Sequence, residues 1–553
     1  MLKKFLNAET KSIAFASLIL GIATLTSAVL GLFRDRLLAG RFGIGDDLDV
    51  YYAAFRIPDF VAMVFIMGAI SAAVIPVFSE YFVKSKEQAW KFASNLINLF
   101  LLSLTVICIF LVIFTPQLVF LIAPGFKGEK RELLISVTRI MFLSPILLGT
   151  SNVISGILQI FQRFIATALA PIFYNFGIIF GILYFAPKFG IKGLAFGVVL
   201  GGFMHLLIQL PAFIVSGFKL KPLFNISDAG FLKVIKLMAP RSLGLAASQI
   251  NLTVITAIAS TLTSGSIAIF NLANNLASLL VGLTVIPFST AAFPKLSLAY
   301  ANKENDRFIK IFSSVVRQIF FLVIPLSLLF YILRAQIVRI TLGTGRFGWS
   351  DTRLTAACLG IFSLAIFAQG LSLLLSKTFY SVYDTKTPAL VSFIAVGITI
   401  FLGFFLIWIL KFQNVFSDLA RDVLRLKDIN DITVVGLPLA FSISAVCQAA
   451  LLLFFLKRKV TILSFSEIRQ SLNKVLLSSL FLVFFAYLIR TIAANFVNMR
   501  TFAGVFIQAL STGTVGLLAY IISAYILKSA EIKSIEKLFL NNFLPRKKKN
   551  NPD

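Results

Sequence analysis

The sequence ASNLINLFLLSLTVICIFLVIFTPQLVFLI, residues 93–122, decides the fold because it runs for thirty residues without an aspartate, glutamate, lysine or arginine. About twenty apolar residues in an α-helix are enough to cross the hydrocarbon core of a bilayer. Inside that core the backbone satisfies its own hydrogen bonds only as a helix or a closed barrel. A run this long, without alternation of apolar and polar residues, predicts a transmembrane helix.

Similar runs recur along the whole chain and predict an all-α polytopic membrane protein with about fourteen transmembrane helices. They exclude an outer-membrane barrel, whose strands alternate over about ten residues. The predicted spans are 13–33, 60–82, 93–122, 135–160, 166–186, 193–215, 238–262, 267–293, 311–333, 355–376, 389–410, 435–456, 475–495 and 502–527.

The composition supports this class and constrains the partners. Hydrophobic residues make up 58% of the 553 residues, which is more apolar surface than a soluble protein of this length can bury. The formal net charge of +28 suits basic loops beside an anionic cytoplasmic leaflet, so we expect membrane lipids and no nucleic acid as partners. The positive-inside rule places the basic segments 456–460 and 546–550 inside, and it predicts that both termini are cytoplasmic.

One loop between spans, residues 411–433, alternates apolar and charged residues at helical spacing, with Val415, Leu419 and Val423 on one face. This pattern predicts an amphipathic helix lying on the outer membrane surface. The alternative is an element that binds a partner protein.

The stretch GLFRDRLLAGRFGIGDDLDVYYAAFRIPD, residues 31–59, places charges between the first two spans. An arginine at mid-membrane costs about 2.5–3.5 kcal/mol on insertion scales, and its side chain stays charged. Either Asp35 or another neighbour neutralises Arg34, or Arg34 lines a wet cavity that binds an anion. Arginines, Arg56 among them, outnumber the nearby acids that are placed to pair with them, which favours the cavity.

Polar residues also interrupt the sixth, seventh and eighth spans. Arg241 lies on a polar stripe of the seventh span, and Asn274 and Asn275 on a stripe of the eighth. Such stripes line a cavity or simply pack helix against helix. His205 and Gln209 lie one turn apart, and we expect His205 to be a structural hydrogen-bonding residue rather than a proton relay.

The sequence shows no catalytic chemistry. A phosphate-binding glycine loop before a lysine, a cluster of metal ligands and a histidine-based triad are all missing from it. We therefore predict that the chain is not an enzyme and uses no cofactor or metal. Arginines and amides within many spans describe a carrier of an anionic or amphiphilic substrate.

Several motifs, in order along nearly the whole chain, resemble the MurJ (MviN) family of lipid II flippases in the multidrug/oligosaccharidyl-lipid/polysaccharide exporter superfamily. They are SAVLGLFRDRLLAGRFG (27–43), AAFRIPD (53–59), GAISAAVIPVFSEY (68–81), APGF (123–126), GGFMHLLIQLP (201–211), AAFPKLS (291–297) and FYSVYDTKTP (379–388).

The resemblance implies a fold of two six-helix lobes around a central cavity. The lobes would be residues 1–222 and residues 223–460, with 411–433 inserted into the second. Two further helices in residues 461–530 would form a groove for a polyprenyl tail, and residues 531–553 would form a basic cytoplasmic tail.

The resemblance also implies the function. The family flips lipid II, the undecaprenyl-diphosphate-linked peptidoglycan precursor, across the cytoplasmic membrane for cell-wall synthesis, and cavity arginines bind its diphosphate. Arg34 and Asp35 match the family's Arg-Asp pair at the end of the first helix, and Asp49 and Arg56 fall on familiar positions.

Several cavity charges of the family are absent here. Ala28, Ala62 and Met67 stand where family members commonly have charged residues, and Asn274-Asn275 replaces a charged pair. Arg241 is a candidate to compensate for these losses, which bear on which lipid-linked substrate is carried.

The expected mechanism is alternating access by a monomer, with the two lobes rocking about the cavity. Arg34, Arg56 and Arg241 would hold the diphosphate by charge-assisted hydrogen bonds. One alternative is a flippase for another polyprenyl-linked glycan, such as an exopolysaccharide or O-antigen unit. A cation-coupled drug exporter and a non-transporting scaffold are further alternatives.

Overall fold

The computed structural model describes residues 13–67, 74–460 and 466–532. Within these ranges, the side chains of 13–17, 66–67, 239–241 and 243–245 are not described.

The described part of the chain is helical and contains no β-strand. Twelve of its helical segments are long and apolar enough to cross a membrane, and each coincides with a predicted span. The prediction of an all-α polytopic membrane protein is therefore confirmed. The other two predicted spans, 60–82 and 238–262, include residues or side chains that lie outside the described ones.

The helices of the first half precede the linker at residues 218–228. They are α1 (Ile13–Phe42), α2 (Asp46–Ala54), α3 (Arg56–Val61), α4 (Ile75–Lys84), α5 (Lys86–Ile113), α6 (Thr115–Ile122), α7 (Gly128–Met141), α8 (Leu143–Ile160), α9 (Phe164–Phe180), α10 (Ala186–Phe189), α11 (Ile191–Leu207) and α12 (Leu210–Val215).

The helices of the second half follow that linker. They are α13 (Ala229–Ala259), α14 (Ser266–Leu280), α15 (Ile286–Ala301), α16 (Asn305–Ile332), α17 (Arg334–Leu342), α18 (Trp349–Ser381), α19 (Lys386–Lys411), α20 (Val415–Leu424), α21 (Gly436–Lys459), α22 (Ser466–Phe496) and α23 (Phe502–Ile526). Among the described residues, short π-helical segments occur at Ala62–Met67, Gly181–Phe185 and Val281–Val285.

Glycines let α9 and α11 cross at backbone contact. A Cβ added at Gly177 would lie 2.3 Å from the Cα of Gly201, and one added at Gly181 would lie 2.4 Å from the Cα of Gly197. Apolar side chains gain little by leaving lipid for protein, so membrane helices associate through close packing of small residues. The two glycine pairs give α9 and α11 such an interface.

The described chain divides into two compact units. The first comprises the described residues within Met1–Leu272, Thr341–Leu354 and Ser392–Ala440, and the second comprises those within Ala273–Ile340, Thr355–Val391 and Phe441–Asp553. In the second unit α22 and α23 pack on α16, where the hydroxyl of Tyr520 donates to the carbonyl of Phe321 at 2.8 Å.

An extended strap, residues 219–225, joins the two halves of the chain and lies along α5. Asn95 and the backbone of Asn225 exchange two hydrogen bonds, of 2.9 and 2.7 Å. Asn98 donates to the carbonyl of Lys221 at 2.7 Å, and Ser94 accepts the N–H of Lys221 at 3.3 Å. Side chains of α5 thus supply hydrogen-bond partners to backbone groups of the strap, which lies outside any helix.

The predicted amphipathic helix in 411–433 is present as α20. Asn414 and Ser417 form a reciprocal capping box at its start. Val415, Leu419 and Val423 are all exposed, as the predicted apolar face requires. The helix is confirmed, and its place on the membrane surface stays a prediction.

Candidate functional site

Arg34 lies in the last third of α1 and is held by two neighbours. Its Nε and Nη2 donate to Oδ1 of Asp35 at 3.0 and 2.9 Å, and its Nη1 donates to Oδ1 of Asn175 at 3.2 Å. Asn175 is fixed in turn by donating to the Ser27 hydroxyl at 3.2 Å. The Asp35 side chain is 6% exposed and that of Arg34 is 22% exposed, so the guanidinium is paired but still accessible.

Arg56 is buried at the start of α3 and bonds to neutral side chains from the second half of the chain. Its Nε donates to the Thr256 hydroxyl at 2.7 Å, and its Nη2 donates to Oδ1 of Asn271 at 2.5 Å. Asp59, three residues on, interacts with it electrostatically. Because both hydrogen-bond partners are uncharged, they accept from two N–H groups of the guanidinium without neutralising its charge.

Tyr52 lies within electrostatic range of both arginines and was not predicted from the sequence as a site residue. Tyr52 is buried and feels the charges of Asp35, Arg34 and Arg56. Its hydroxyl has no hydrogen-bond partner among the described residues. Tyrosines in an apolar run look like ordinary packing residues, so only the polar neighbours seen in three dimensions identify Tyr52 as part of the site.

Asp49, in the first turn of α2, caps the start of α14. Its Oδ1 accepts the N–H of Ala268 at 2.9 Å, and its Oδ2 accepts the N–H of Gly265 at 2.8 Å. Lys130 contributes an ion pair at 3.3 Å. A carboxylate is stabilised at a helix N-terminus by free N–H groups and by the helix dipole. Both oxygens are therefore occupied by the protein in this conformation.

Asp46 extends this contact at the exposed start of α2. Lys130 donates to its Oδ1 at 2.6 Å, and the Ser264 hydroxyl donates to the same oxygen at 2.6 Å. These two hydrogen bonds lower the pKa of Asp46 below its ordinary value against a smaller opposing effect of burial. The carboxylate is thus held in its charged form.

Three other predicted site residues lie elsewhere. Arg241 falls within α13, but its side chain lies outside the described residues. Asn274 and Asn275 are half-buried on α14, in the second compact unit. Their roles in binding stay predictions. Of the positions where family charges are missing, Ala62 lines a small cavity beside Asp59, Ala28 is half-buried, and the side chain of Met67 lies outside the described residues.

His205 belongs to a buried network of neutral groups between α8 and α11. Its Nδ1 lies 2.7 Å from the Ser151 hydroxyl, which also accepts a hydrogen bond from Gln209 at 2.7 Å. Gln209 accepts in turn from the Ser155 hydroxyl at 2.6 Å. A network of hydroxyls and an amide suits the expected structural role.

Arg34 and Arg56 give the arrangement two guanidinium groups, and such groups form charge-assisted hydrogen bonds with anions. No group of three or more His, Cys, Asp or Glu residues placed to hold a metal ion occurs among the described residues. The fold defines the chain as a multi-span membrane protein. The same architecture occurs in a multidrug resistance MATE transporter of the MOP superfamily in its inward-facing conformation, with a TM-score of 0.61 at 15% identity, over 81% of this chain and 98% of that one.

Closer similarities identify the family. A model of the lipid II flippase MurJ family matches residues 38–507. The probable lipid II flippase MurJ of Buchnera aphidicola subsp. Acyrthosiphon pisum is 32% identical over 66% of this chain and 73% of its own length. That of Burkholderia cenocepacia, a lipid II flippase MurJ, is 28% identical over 68% and 74%. A solved lipid II flippase MurJ in an inward closed conformation has 26% identity and a TM-score of 0.73, over 92% of this chain and 98% of that one. The chain belongs to the lipid II flippase MurJ family.

Proposed function

We propose that this chain moves lipid II across the cytoplasmic membrane by alternating access, for cell-wall synthesis, and that Arg34 contacts the diphosphate. The accessibility of Arg34 carries the proposal. Three of its five N–H groups bond to Asp35 and Asn175, which leaves two for a ligand. A charged guanidinium in a membrane-spanning helix needs a wet cavity, and a diphosphate oxygen is a strong acceptor for it.

Arg56 is proposed to serve the same ligand after a conformational change. In the observed conformation it joins α3 to Thr256 on α13 and Asn271 on α14, and so it ties residues of the first proposed lobe, 1–222, to the second, 223–460. Separation of these helices would break both hydrogen bonds and leave the buried cation with the nearby charge of Asp59 alone among the interactions described above. An anionic group on the substrate would then stabilise the separated state.

The two C-terminal helices are proposed to guide the polyprenyl tail. They belong to the proposed segment 461–530, and they pack on α16 through one face. Apolar residues remain exposed on their other sides, among them Leu480, Phe484, Leu510 and Ile522. Such surfaces are compatible with a lipid chain that stays in the bilayer.

We further propose that both termini are cytoplasmic, that the protein acts as a monomer and that its positive charge faces anionic lipid rather than nucleic acid. The basic side chains at the end of α21, Lys457, Arg458 and Lys459, support this orientation. The orientation is tested by placing each of two reporters, alkaline phosphatase and a fluorescent protein, after residue 459 and after residue 343. Fusions after residue 459 are expected to fluoresce, and fusions after residue 343 are expected to show phosphatase activity.

The decisive experiment is complementation of cells depleted of their own lipid II flippase. We expect rescue by the wild type, loss of rescue with Arg34→Ala and partial rescue with Arg34→Lys. Arg307→Ala is the matched control because Arg307 is exposed and pairs only locally with Glu304. Rescue by an equally expressed Arg34→Ala variant would remove Arg34 from the mechanism, and failure of the wild type in a matched host would overturn lipid II as the substrate.

A further inference from the structure

The two halves of the chain contain the same supersecondary unit. In the first, the 28-residue helix α5 is followed by the 8-residue helix α6, a short loop and α7. In the second, the 28-residue helix α16 is followed by the 9-residue helix α17, a short loop and α18. Each loop holds a glycine that lies in close contact with the other half.

The loop of the first unit lies on the end of α13. The N–H of Gly125 donates to the Ser260 hydroxyl at 3.0 Å. A Cβ added at Gly125 would lie 2.0 Å from the carbonyl oxygen of Ser260 and 2.8 Å from the Cα of Thr261. Real Cβ atoms do not approach backbone so closely, so any residue larger than glycine would push this loop away from α13.

The loop of the second unit lies on the end of α1. The N–H of Arg346 donates to the carbonyl of Gly40 at 2.8 Å. A Cβ added at Gly345 would lie 2.2 Å from that same carbonyl oxygen, and Gly345 has a φ of +52°. The tetrapeptide Gly-Arg-Phe-Gly stands on both sides of this contact, at 40–43 and 345–348.

The two contacts are reciprocal. The α6–α7 loop of the first half meets the end of the first long helix of the second half, and the α17–α18 loop of the second half meets the end of the first long helix of the first half. Both contacts lie close in sequence to the Asp49 cap on α14, because α1 ends just before the helix that carries Asp49 and α13 ends just before α14.

We propose that Gly125 and Gly345 are the two halves of a latch that closes the outer side of the transporter, and that the latch opens once in each transport cycle. This inference rests on the proposed alternating access and orientation. The glycines act as positioning residues: they allow backbone-to-backbone approach, which makes the seal tight. A single methyl group at either position would favour the open state.

The test measures access from outside to a cysteine placed beside the Asp49 cap, next to Gly265. Ser266, buried at the start of α14, is replaced by cysteine in a background in which Cys108, Cys358 and Cys447 are alanine. Labelling by a membrane-impermeant thiol reagent is followed in intact cells. Gly125→Ala and Gly345→Ala are each expected to speed labelling about fivefold or more, as for other shifts of a two-state equilibrium.

Two control variants separate the latch from general effects of alanine. Gly190→Ala reproduces the strain of a positive φ, because Gly190 has a φ of +56° with nothing within 4 Å of an added Cβ. Gly397→Ala adds a methyl within a helix, also into open space. Neither control is expected to change labelling, and equal labelling in all four variants would overturn the latch.

A milder variant covers the case in which an added methyl prevents folding. Ser260→Ala removes the hydrogen bond to Gly125 without adding an atom, and it is expected to speed labelling in the same direction. Unchanged labelling in Ser260→Ala, if the glycine variants do not reach the membrane, would overturn the latch. Labelling reports conformation alone, whereas complementation reports transport, so failure of the latch and failure of lipid II transport give different results.

Discussion

Asp49 caps a helix 219 residues further along the chain, where its Oδ1 accepts the N–H of Ala268 at 2.9 Å. This bond and its partner from Gly265 join α2 to α14, which belong to the two proposed lobes. The first turn of α14 thus obtains its cap from a distant part of the sequence. In the proposed cycle, closure of this side coincides with capping of the helix, because separation would leave two N–H groups without their acceptors.

Replacement of Asp49 by asparagine tests this relationship. Asn keeps one acceptor oxygen but loses the charge and the second acceptor, so we expect the closed state to lose about 1–3 kcal/mol. Asp47→Asn is the control, since Asp47 is an exposed neighbour on the same helix. Thermal unfolding of the purified proteins measures this loss of stability, and we expect a lower midpoint temperature for the Asp49→Asn variant only. Equal midpoints would mean that the cap contributes no stability.

Arg56→Lys tests whether the fork of the guanidinium matters as well as its charge. A lysine has one nitrogen and does not reproduce the separate bonds from Nε to Thr256 and from Nη2 to Asn271. We expect transport to fall by about tenfold, the effect of losing one hydrogen bond to a charged group. Lipid II flipping at matched expression checks it, with Arg307→Lys as the control. Full activity of Arg56→Lys would show that charge alone is sufficient.

The pH dependence of the Asp46 contact has a definite sign. The hydrogen bonds from Lys130 and Ser264 lower the pKa of Asp46 in the observed conformation. A carboxylate of lowered pKa contributes stability above its unperturbed value and loses it as the pH falls through the lowered value. Labelling at Ser266→Cys should therefore be insensitive to this group between pH 5 and 8. A rise in labelling within that range that Asp46→Asn abolishes would contradict this assignment.

Helix α20 should lie at the lipid surface through Leu419 while Asp418 faces water. A nitroxide at 419 is expected to be accessible to oxygen and protected from a water-soluble nickel chelate, and one at 418 is expected to show the reverse. The control is built in, because the two positions are neighbours on one helix. Equal accessibility to the nickel chelate would mean that the apolar face is open to water, and protection of 419 from both oxygen and the chelate would mean that a partner covers it.

The transmembrane helices were predictable from the sequence because the length and polarity of a run are local properties. The pairing of Arg34 with Asp35 was also within reach, since the two are adjacent. Its other partner, Asn175, lies 141 residues away, and the partners of Arg56 are 200 and 215 residues away. Single polar residues in apolar runs look like helix packing until the helices are assembled.

The cap formed by Asp49 and the contacts of Gly125 were beyond the sequence for a different reason. Asp49 binds backbone N–H groups, which every residue possesses, so no residue type marks the partner. Gly125 matters for the side chain it lacks, and a loop glycine is ordinarily explained by a turn. Both contacts join distant parts of the backbone, where residue patterns carry no information.

The strap at 219–225 sets where the chain can yield when the proposed lobes move. Its backbone is hydrogen-bonded to Asn95 and Asn98 on α5, so we expect it to move with the first half of the chain. Rotation of one half against the other must therefore be taken up after residue 225, in the two-residue turn before Asp228 caps α13. A hinge this short converts a small change in backbone angles into a rigid swing of α13. Lengthening it by a few residues would uncouple the two proposed lobes without altering any residue proposed to contact lipid II.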